Sequence, residues 1–306
     1  MEYELAIIGS GPAGFSAAIY AERAGIKTVV IDKGIGGGLA NVSPKIENYP
    51  GFESISGIDL MEKMKNHASN YSDFRFNEMV KSIEKKDSEF NVKTDKQSFN
   101  VKAVLLCTGT EYRKLNAPGE KELTGKGVSY CATCDGFFFK EKKVAVVGGG
   151  NSALIESIYL KQIGVKEVYV IHRRDQLRAE KAYEDEAIKK GVKIIFNNHV
   201  DSINGDQKIE YLELHDVKTD KKSKFPVDGV FISIGEEPQN EIAKKLGIKI
   251  DERGFIPTDR QMRTNIRGVY AAGDITGGLR QVVTACAEGA IAALSATEVL
   301  GKKYPY

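Results

Sequence analysis

The chain repeats one glycine-rich pattern, and this repeat limits its fold more than any other feature. Residues 5–32 (LAIIGSGPAGFSAAIYAERAGIKTVVID) and 144–172 (VAVVGGGNSALIESIYLKQIGVKEVYVIH) each begin with an apolar strand, turn through GxGxxG or GxGxxA, continue as a helix and end in a second strand. The glycines let the backbone turn tightly beside a pyrophosphate, whose charge then lies at a helix N-terminus. The turn residues are Gly9, Gly11, Pro12, Ala13 and Gly14 in the first copy, and Gly148, Gly150, Asn151, Ser152 and Ala153 in the second. The sequence therefore predicts two dinucleotide-binding units.

The residues that end each second strand distinguish the two predicted ligands. Asp32 ends the first, where a carboxylate can accept a hydrogen bond from a ribose 2′-hydroxyl group. The other strand ends in His172, Arg173 and Arg174, with Arg178 one helical turn further on and no carboxylate at the equivalent position. A guanidinium cluster there suits a 2′-phosphate and predicts NADP(H), and the alternative is a solvated basic surface.

Two stretches outside the repeat predict supporting sheets and a domain insertion. Residues 80–106 and 200–234 alternate apolar and polar side chains, as antiparallel meanders do before they return to a parallel strand. Each returning strand ends near a glycine, where we expect the chain to pass from one domain to the other. We predict an α/β fold of two Rossmann-like three-layer (β/β/α) domains, with residues 114–240 inserted into a discontinuous domain of residues 1–113 and 241–306.

A CxxC pair, Cys131 and Cys134, precedes the second glycine turn. Two thiols at this spacing can close a disulfide ring, and one can have a lowered pKa, so the pair can carry two electrons by thiol exchange. The next residue is Asp135, whose carboxyl group, if partly buried, can exchange a proton with a thiolate. The alternative for Asp135 is a helix cap after the CxxC turn.

Composition excludes several classes of protein. Lys+Arg 44 against Asp+Glu 42 gives a net charge of +2, so no global field favours nucleic acid or an anionic membrane. No apolar run approaches the ~18 residues of a membrane span, and four cysteines are too few for a disulfide framework, which predicts a cytoplasmic protein. His67, His199 and His215 are scattered over polar stretches; without a second CxxC or a histidine pair at ligand spacing, no metal site is predicted.

Taken together, the motifs resemble the low-molecular-weight thioredoxin reductases, flavoproteins with two dinucleotide-binding domains, over nearly the whole chain. They are GSGPAG (9–14), ENYPGF (47–52), CTGT (107–110), CATCDG (131–136), GGGNSA (148–153), HRRDQLRAE (172–180), AAGD (271–274) and RQVVTACAEG (280–289). The resemblance implies FAD on the discontinuous domain, NADPH on the inserted domain, and a homodimer that reduces thioredoxin or a thioredoxin-like protein.

The same resemblance assigns the cofactor residues. FAD is expected at Gly9, Gly11, Pro12, Ala13, Gly14, Asp32, Asn48, Thr108, Gly109, Asp274, Arg280 and Gln281. NADPH is expected at Gly148, Gly150, Asn151, Ser152, Ala153, His172, Arg173, Arg174 and Arg178. Leu39 stands where the family often has a glutamine near the flavin, so one flavin contact is expected to differ.

The resemblance also implies the order of electron transfer. Hydride passes from NADPH to FAD, the electrons then open the Cys131–Cys134 disulfide, and the dithiol reduces a protein disulfide, with Cys134 facing the flavin and Cys131 attacking the partner. Two alternatives stay open at this point. One keeps the dithiol chemistry with a reductant other than NADPH, such as reduced deazaflavin, and the other is a flavin-binding redox sensor without turnover.

Overall fold

The computed structural model describes residues 3–43 and 45–304, and the predicted domain ends at residues 1 and 306 lie outside them. The first elements are β1 (Leu5–Ile8), α1 (Pro12–Arg23), β2 (Thr28–Ile31), α2 (Gly57–Ala68), β3 (Asp73–Arg75), β4 (Val80–Lys86), β5 (Glu89–Thr94), β6 (Ser98–Val101), β7 (Ala103–Leu106) and β8 (Thr110–Tyr112). The next are β9 (Val128–Ser129), α3 (Ala132–Asp135), β10 (Lys143–Gly148), α4 (Asn151–Gln162), β11 (Glu167–Ile171), α5 (Lys181–Lys189), β12 (Lys193–Ile195), β13 (Asn198–Asn204), β14 (Tyr211–Asp216), β15 (Lys221–Pro226), β16 (Gly229–Ser233) and β17 (Glu236–Pro238). The last are α6 (Glu241–Leu246), β18 (Val269–Ala271) and α7 (Val282–Ser295), and three short 3-10 helices span Gly38–Val42, Gly136–Phe139 and Asp274–Thr276.

The chain divides into two units, one inserted into the other. Unit 1 comprises Met1–Glu111 and Glu237–Tyr306, and unit 2 comprises Tyr112–Glu236. The chain therefore leaves unit 1 within β8 and returns within β17. The first crossing lies two residues before the predicted boundary at 113/114, and the second lies four residues before the predicted boundary at 240/241.

Unit 1 is built on a five-stranded parallel sheet in the order β18-β7-β1-β2-β3. Its central strands are apolar along their whole length because both faces of the sheet are covered. Leu5 and Ile7 face a core that includes residues of α1 and α7. Ala6 and Ile8 face a second core that includes residues of the antiparallel sheet β4-β5-β6 and of α6. These layers are the predicted β/β/α arrangement.

Unit 2 repeats this construction. Its parallel sheet has the order β12-β11-β10-β16-β9. Val144 and Val146 of β10 pack in a core with residues of α4 and α5, while Ala145 and Val147 pack with the antiparallel sheet β13-β14-β15. The predicted fold class, two Rossmann-like domains with one inserted into the other, is confirmed.

Helix lengths bear on the question of a membrane span. The longest helix among the described residues, α7, has 14 residues. A bilayer needs about 20 apolar helical residues, so no helix in the described part of the chain can serve as a membrane span.

Candidate active site

The first glycine turn has a tight side and an open side. Gly9 has a φ of +101°, and a Cβ atom there would lie 2.2 Å from the carbonyl oxygen of Cys107. A Cβ atom on Gly14 would lie 2.0 Å from the carbonyl oxygen of Gly9. At Gly11, by contrast, no described atom lies within 4 Å of the Cβ position. Pro12, Ala13 and Gly14 begin α1, whose first turn holds no acidic residue. The N-terminus of a helix favours an anion such as a phosphate.

Asp32 follows β2 and is bound by the turn itself. Its Oδ2 atom accepts hydrogen bonds from the backbone N–H and the hydroxyl group of Ser10, at 2.7 and 2.8 Å, and its Oδ1 atom accepts one from the N–H of Gly34 at 2.8 Å. A carboxylate oxygen has capacity for more than one hydrogen bond. Asp32 is therefore rigidly positioned and can still accept a bond from a ribose hydroxyl group.

The other predicted flavin residues lie in unit 1, in two groups. The amide of Asn48 donates to the side-chain oxygen of Gln281 at 2.9 Å, which brings together two residues 233 positions apart. Gln281 is the N-cap of α7, and Arg280 precedes it at an exposed position. Asp274 begins a 3-10 helix directly after Gly273, and a Cβ atom on Gly273 would lie 2.9 Å from the Cβ of Ala13, so Asp274 follows a residue packed on the first turn.

The strand end after β7 and the position of Leu39 complete this part of unit 1. The hydroxyl group of Thr108 donates to the carbonyl oxygen of Gln239 at 2.7 Å, and the N–H of Gln239 donates to the carbonyl oxygen of Gly109 at 3.0 Å. Thr108 thus ties the end of β7 to the returning chain. Leu39 is half-buried in the 3-10 helix Gly38–Val42.

The second glycine turn repeats the open position of the first. Gly150 is the N-cap of α4 with extended backbone, and no described atom lies within 4 Å of its Cβ position. Asn151, Ser152 and Ala153 form the first turn of α4, which has no acidic residue. The side chain of Asn151 exchanges two hydrogen bonds of 2.8 Å with Glu180, so the start of α4 is tied to the start of α5.

His172 packs against the second glycine turn and contacts its backbone. It is buried, and its Nδ1 and Nε2 atoms lie 2.9 and 3.0 Å from the carbonyl oxygens of Gly148 and Gln176. A Cβ atom on Gly149 would lie 2.2 Å from the His172 ring. Burial lowers the pKa of His172. Both ring nitrogens face the backbone, so His172 positions the turn, and its contact with NADPH stays a prediction.

The arginines at the end of β11 are oriented to solvent. Arg173, Arg174 and Arg178 are exposed, and none of them forms an ion pair with any residue in 3–43 or 45–304. The segment that carries them is fixed, since the N–H groups of Arg178 and Ala179 donate to the carbonyl oxygen of Gly149 at 2.7 and 3.1 Å. The positive charges beside the open turn are therefore available to an anionic ligand.

The CxxC pair forms a disulfide in this structure. Cys131 and Cys134 are joined across the short helix α3, whose N-cap is Cys131. The Sγ atom of Cys131 accepts a hydrogen bond from the N–H of Cys134 at 3.2 Å. Such a bond stabilises a thiolate on Cys131 once the disulfide is opened.

Asp135 follows Cys134 in the sequence and has one carboxylate oxygen with a hydrogen bond and one without. Its Oδ2 atom accepts a hydrogen bond of 2.6 Å from the hydroxyl group of Ser129, whereas its buried Oδ1 atom has no hydrogen-bond partner among the described residues. Burial raises the pKa of Asp135, and the bond from Ser129 opposes this shift. Asp135 makes no side-chain capping bond to the following 3-10 helix, so the cap interpretation is not supported.

A buried carboxylate that the sequence analysis did not identify, Glu120, binds the residue that precedes Cys131. Glu120 accepts hydrogen bonds from the hydroxyl group of Tyr130 at 2.8 Å and from the N–H groups of Leu115 and Asn116 at 3.1 and 2.7 Å. Tyr130 also stacks on Tyr112, with ring centroids 5.2 Å apart. The residue before Cys131 is thereby fixed to the segment that enters unit 2. No periodic or motif signal marks Glu120, because its partners converge only in the fold.

The two cysteines outside the CxxC pair are protonated thiols at neutral pH. Burial raises the pKa of Cys107 far above its ordinary value, and it raises the pKa of Cys286 to about 11. Thiols in this state are poor nucleophiles.

Two histidines are not scattered as the sequence suggested. His199 and His215 are paired across β13 and β14, with ring centroids 4.8 Å apart, and Asp201 lies between them. The expectation that no histidine pair lies at ligand spacing is therefore wrong for this sheet.

Comparison with known proteins identifies the family. Over residues 3–289 the chain matches the pyridine nucleotide-disulphide oxidoreductase family. The chain belongs to this family. It is 43% identical over 298 residues to a thioredoxin reductase of Listeria innocua, which covers 96% of this chain and 92% of the relative. It is also 43% identical over 297 residues to a thioredoxin reductase of Bacillus subtilis, covering 96% and 93%. A crystal structure of thioredoxin reductase from Streptococcus pyogenes has a TM-score of 0.92 at 41% identity and covers 98% of both chains.

Membership of the pyridine nucleotide-disulphide oxidoreductases makes this protein a flavin-dependent oxidoreductase that uses a pyridine nucleotide. The resemblance to thioredoxin reductases stated from the motifs is confirmed at the level of sequence and of fold.

Proposed function

We propose that this protein is a thioredoxin-disulfide reductase that takes electrons from NADPH through FAD. The observation that carries the proposal is the Cys131–Cys134 disulfide, which lies in the same inserted unit as a glycine turn with three exposed arginines that form no ion pair with any described residue. The relatives of 43% identity that are named thioredoxin reductases support the same activity.

Unit 1 fits FAD. The open space at Gly11 and the acid-free start of α1 suit the pyrophosphate, and Asp32 suits the adenosine ribose. We assign the isoalloxazine and ribityl contacts to the second group, namely Asn48, Asp274, Arg280 and Gln281, with Thr108 and Gly109 at the strand end. The Asn48–Gln281 hydrogen bond supports this grouping because it joins distant parts of the chain around one site.

Unit 2 fits NADPH. Gly148, Gly150 and the first turn of α4 suit the pyrophosphate. The guanidinium groups of Arg173, Arg174 and Arg178 suit a 2′-phosphate, which each can bind through charge-assisted hydrogen bonds.

The chemistry of the protein itself is thiol exchange. When bound, NADPH and FAD supply two electrons in the form of a hydride equivalent. The Cys131–Cys134 disulfide accepts two electrons and two protons and becomes a dithiol. The thiolate of Cys131 attacks one sulfur of the thioredoxin disulfide, and Cys134 then attacks Cys131 in the mixed disulfide, which releases thioredoxin with two thiols and closes the Cys131–Cys134 bond again.

Asp135 is the proton carrier in this proposal. A carboxyl group with a raised pKa stays protonated to a higher pH than an ordinary aspartate. It can therefore transfer a proton to the sulfur that leaves when the disulfide opens. Its unbound Oδ1 atom is the oxygen free to take part. The homodimer and the cytoplasmic location stay predictions.

The test is steady-state turnover of the FAD-loaded protein with the thioredoxins of its own organism, with NADPH, NADH or reduced deazaflavin as the donor. We expect NADPH to be used at least tenfold better than NADH, measured as kcat/KM. Cys134→Ser should accumulate a mixed disulfide with thioredoxin through Cys131, detected by mass spectrometry. Turnover with reduced deazaflavin alone would show that NADPH is not the reductant. FAD binding without turnover with any donor would favour a redox sensor.

A further inference from the structure

The antiparallel sheet β13-β14-β15 carries a cluster of polar side chains that the redox chemistry does not use. His199 of β13 is directly opposite His215 of β14, and His215 is directly opposite Lys222 of β15. These three residues therefore form a row across one face of the sheet. The other face is apolar, because the neighbouring residues Val200 and Leu214 are buried in the core.

A β-bulge adds a carboxylate to this row. The register of β13 shifts between Val200 and Ser202, so Asp201 has no partner residue on β14. Bulges of this kind redirect a side chain. The Oδ1 atom of Asp201 lies 2.8 Å from Nε2 of His199 and 3.7 Å from Nδ1 of His215. One atom from each of these three side chains lies within 4.8 Å of the others.

We propose that His199, Asp201 and His215 form a binding site for a divalent transition-metal ion, with Zn²⁺ as the preferred ion. Zn²⁺ ligands at bond lengths of about 2.0–2.2 Å lie about 3.3–3.5 Å from one another in a tetrahedral site. The spacings of 2.8 and 3.7 Å to Oδ1 of Asp201 lie on either side of this range, and the two imidazole nitrogens lie within 4.8 Å of each other. Side-chain rotations can bring the three atoms to ligand spacing, and the metal then replaces the hydrogen bond between His199 and Asp201. Two imidazoles and one carboxylate select zinc-like ions over Mg²⁺ and Ca²⁺, which prefer oxygen ligands. Water completes the coordination, since His199 is 41% exposed.

The hydrogen bond at Nε2 of His215 supports the metal site independently of the ligand spacing. Nε2 of His215 lies 2.6 Å from Oδ1 of Asp220, and a carboxylate can only accept, so Nε2 carries the hydrogen. In the neutral ring, Nδ1 then presents a lone pair to Oδ1 of Asp201. A cation between Nδ1 of His215 and Oδ1 of Asp201, which lie 3.7 Å apart, would be bound by both acceptors. A carboxylate that fixes the tautomer of a histidine in this way is a common partner of metal-binding histidines.

Lys222 is compatible with this site. Its ammonium group lies 2.5 Å from Oδ2 of Asp201, the oxygen that the metal does not use. The lysine therefore holds the carboxylate in place from the side, although its charge disfavours a nearby cation.

The test uses untagged, FAD-loaded protein in the oxidised state, in which Cys131 and Cys134 cannot bind metal. We expect calorimetry to show one equivalent of Zn²⁺ bound, and Co²⁺ at the same site to give visible ligand-field absorption. His199→Gln, His215→Gln and Asp201→Asn should each weaken Zn²⁺ binding at least tenfold, and Asp220→Asn should weaken it about tenfold through the orientation of His215. His67→Gln, on α2, is the matched control and should leave binding unchanged.

Thermal unfolding separates a lost site from a lost fold. Zn²⁺ should raise the Tm of the parent protein and of His67→Gln, and it should raise the Tm of the site variants less, while their Tm without metal stays within a few degrees of the parent. Lys222→Met should bind Zn²⁺ as well as the parent or better. The proposal is overturned if the parent binds no Zn²⁺, if the site variants bind it as the parent does, or if Lys222→Met loses binding.

Discussion

The two units have the same architecture but differ in how the polar and charged groups of their predicted sites are hydrogen-bonded. In unit 1 the polar groups of the predicted site bind one another: Ser10 and Gly34 bind Asp32, and Asn48 binds Gln281. Unit 2 leaves several charged groups without partners among the described residues: Arg173, Arg174 and Arg178 are exposed and form no ion pair there, and one oxygen of Asp135 accepts no hydrogen bond.

This difference follows from what each site has to do. A tightly held cofactor needs a preorganised site, because every group fixed before binding reduces the entropy lost on binding. A nucleotide that enters and leaves in each cycle, and a thiol that exchanges protons, need groups whose interactions are made only when the partner arrives. The comparison predicts that substitutions in unit 1 act on folding and cofactor retention, and those in unit 2 on turnover.

The largest effect on stability is expected from Gly9→Ala in unit 1. The added Cβ atom would meet the carbonyl oxygen of Cys107 at 2.2 Å, and the φ of +101° is unfavourable for alanine. We expect the free energy of unfolding of the FAD-free protein to fall by about 3 kcal/mol or more. Urea unfolding of the cofactor-free protein measures it.

Gly11→Ala is the control in the same turn. Its Cβ atom would occupy open space, so the cofactor-free protein should unfold at the parent urea concentration, while FAD affinity should fall. Equal destabilisation by both substitutions would show that the tight side of the turn does not lie at Gly9.

The largest effect on turnover is expected from removing Arg173 and Arg174 together. Each lost charged hydrogen bond to a 2′-phosphate costs roughly 1.5–3 kcal/mol, which is about one to two decades in kcat/KM. Use of NADPH should fall by that amount per bond, and use of NADH should change little. Lys189→Ala with Lys190→Ala, which removes two exposed charges at the end of α5, should leave both unchanged. Equal losses with the two nucleotides would favour the interpretation of a solvated basic surface.

The sequence predicted those features of the two units that depend on local spacing. The glycine turns, Asp32 and the arginines stand at fixed distances from strands whose apolar pattern is visible, and the second strand predicted before Asp32 is β2. His172 shows the limit of this reasoning, because its position in the motif is correct but its ring turns inward to two carbonyl groups.

Contacts between distant residues could not be read from the sequence. The pairing of His199 with His215 depends on strand register and on a bulge at Asp201, neither of which leaves a mark in composition or periodicity. Glu120 looks like an exposed charge in a lysine-rich loop, and only the fold brings Tyr130, Leu115 and Asn116 to it.

A smaller effect, about a hundredfold in turnover with thioredoxin, is expected for Asp135→Asn, because general acid catalysis contributes on this order. The substitution should also change how stability depends on pH. Burial raises the pKa of Asp135 above its ordinary value of 3.8, so its contribution to the free energy of unfolding is fully present below pH 3.8 and is lost as pH rises through the raised pKa. Urea unfolding at a series of pH values should show this slope in the parent and not in the variant. An unchanged slope would mean that Asp135 is not a buried titrating group.

The smallest effect is expected from Ser129→Ala, and it tests the comparison between the units most directly. Asp32 and Asp135 each accept a hydrogen bond from a serine hydroxyl group, at 2.8 Å from Ser10 and 2.6 Å from Ser129. The bond to Asp135 favours the ionised carboxylate, so its removal should raise the pKa of Asp135 further. A net hydrogen-bond free energy of about 0.5–1.5 kcal/mol corresponds to a shift of up to about one pH unit in the pH profile of turnover.

Ser129→Thr keeps the hydroxyl group and should restore the parent pH profile, while Ser10→Ala should weaken FAD binding and leave the profile unchanged. If Ser129→Ala and Ser129→Thr gave the same profile, the hydroxyl group would not tune Asp135, and the proton would have to reach the dithiol by another route.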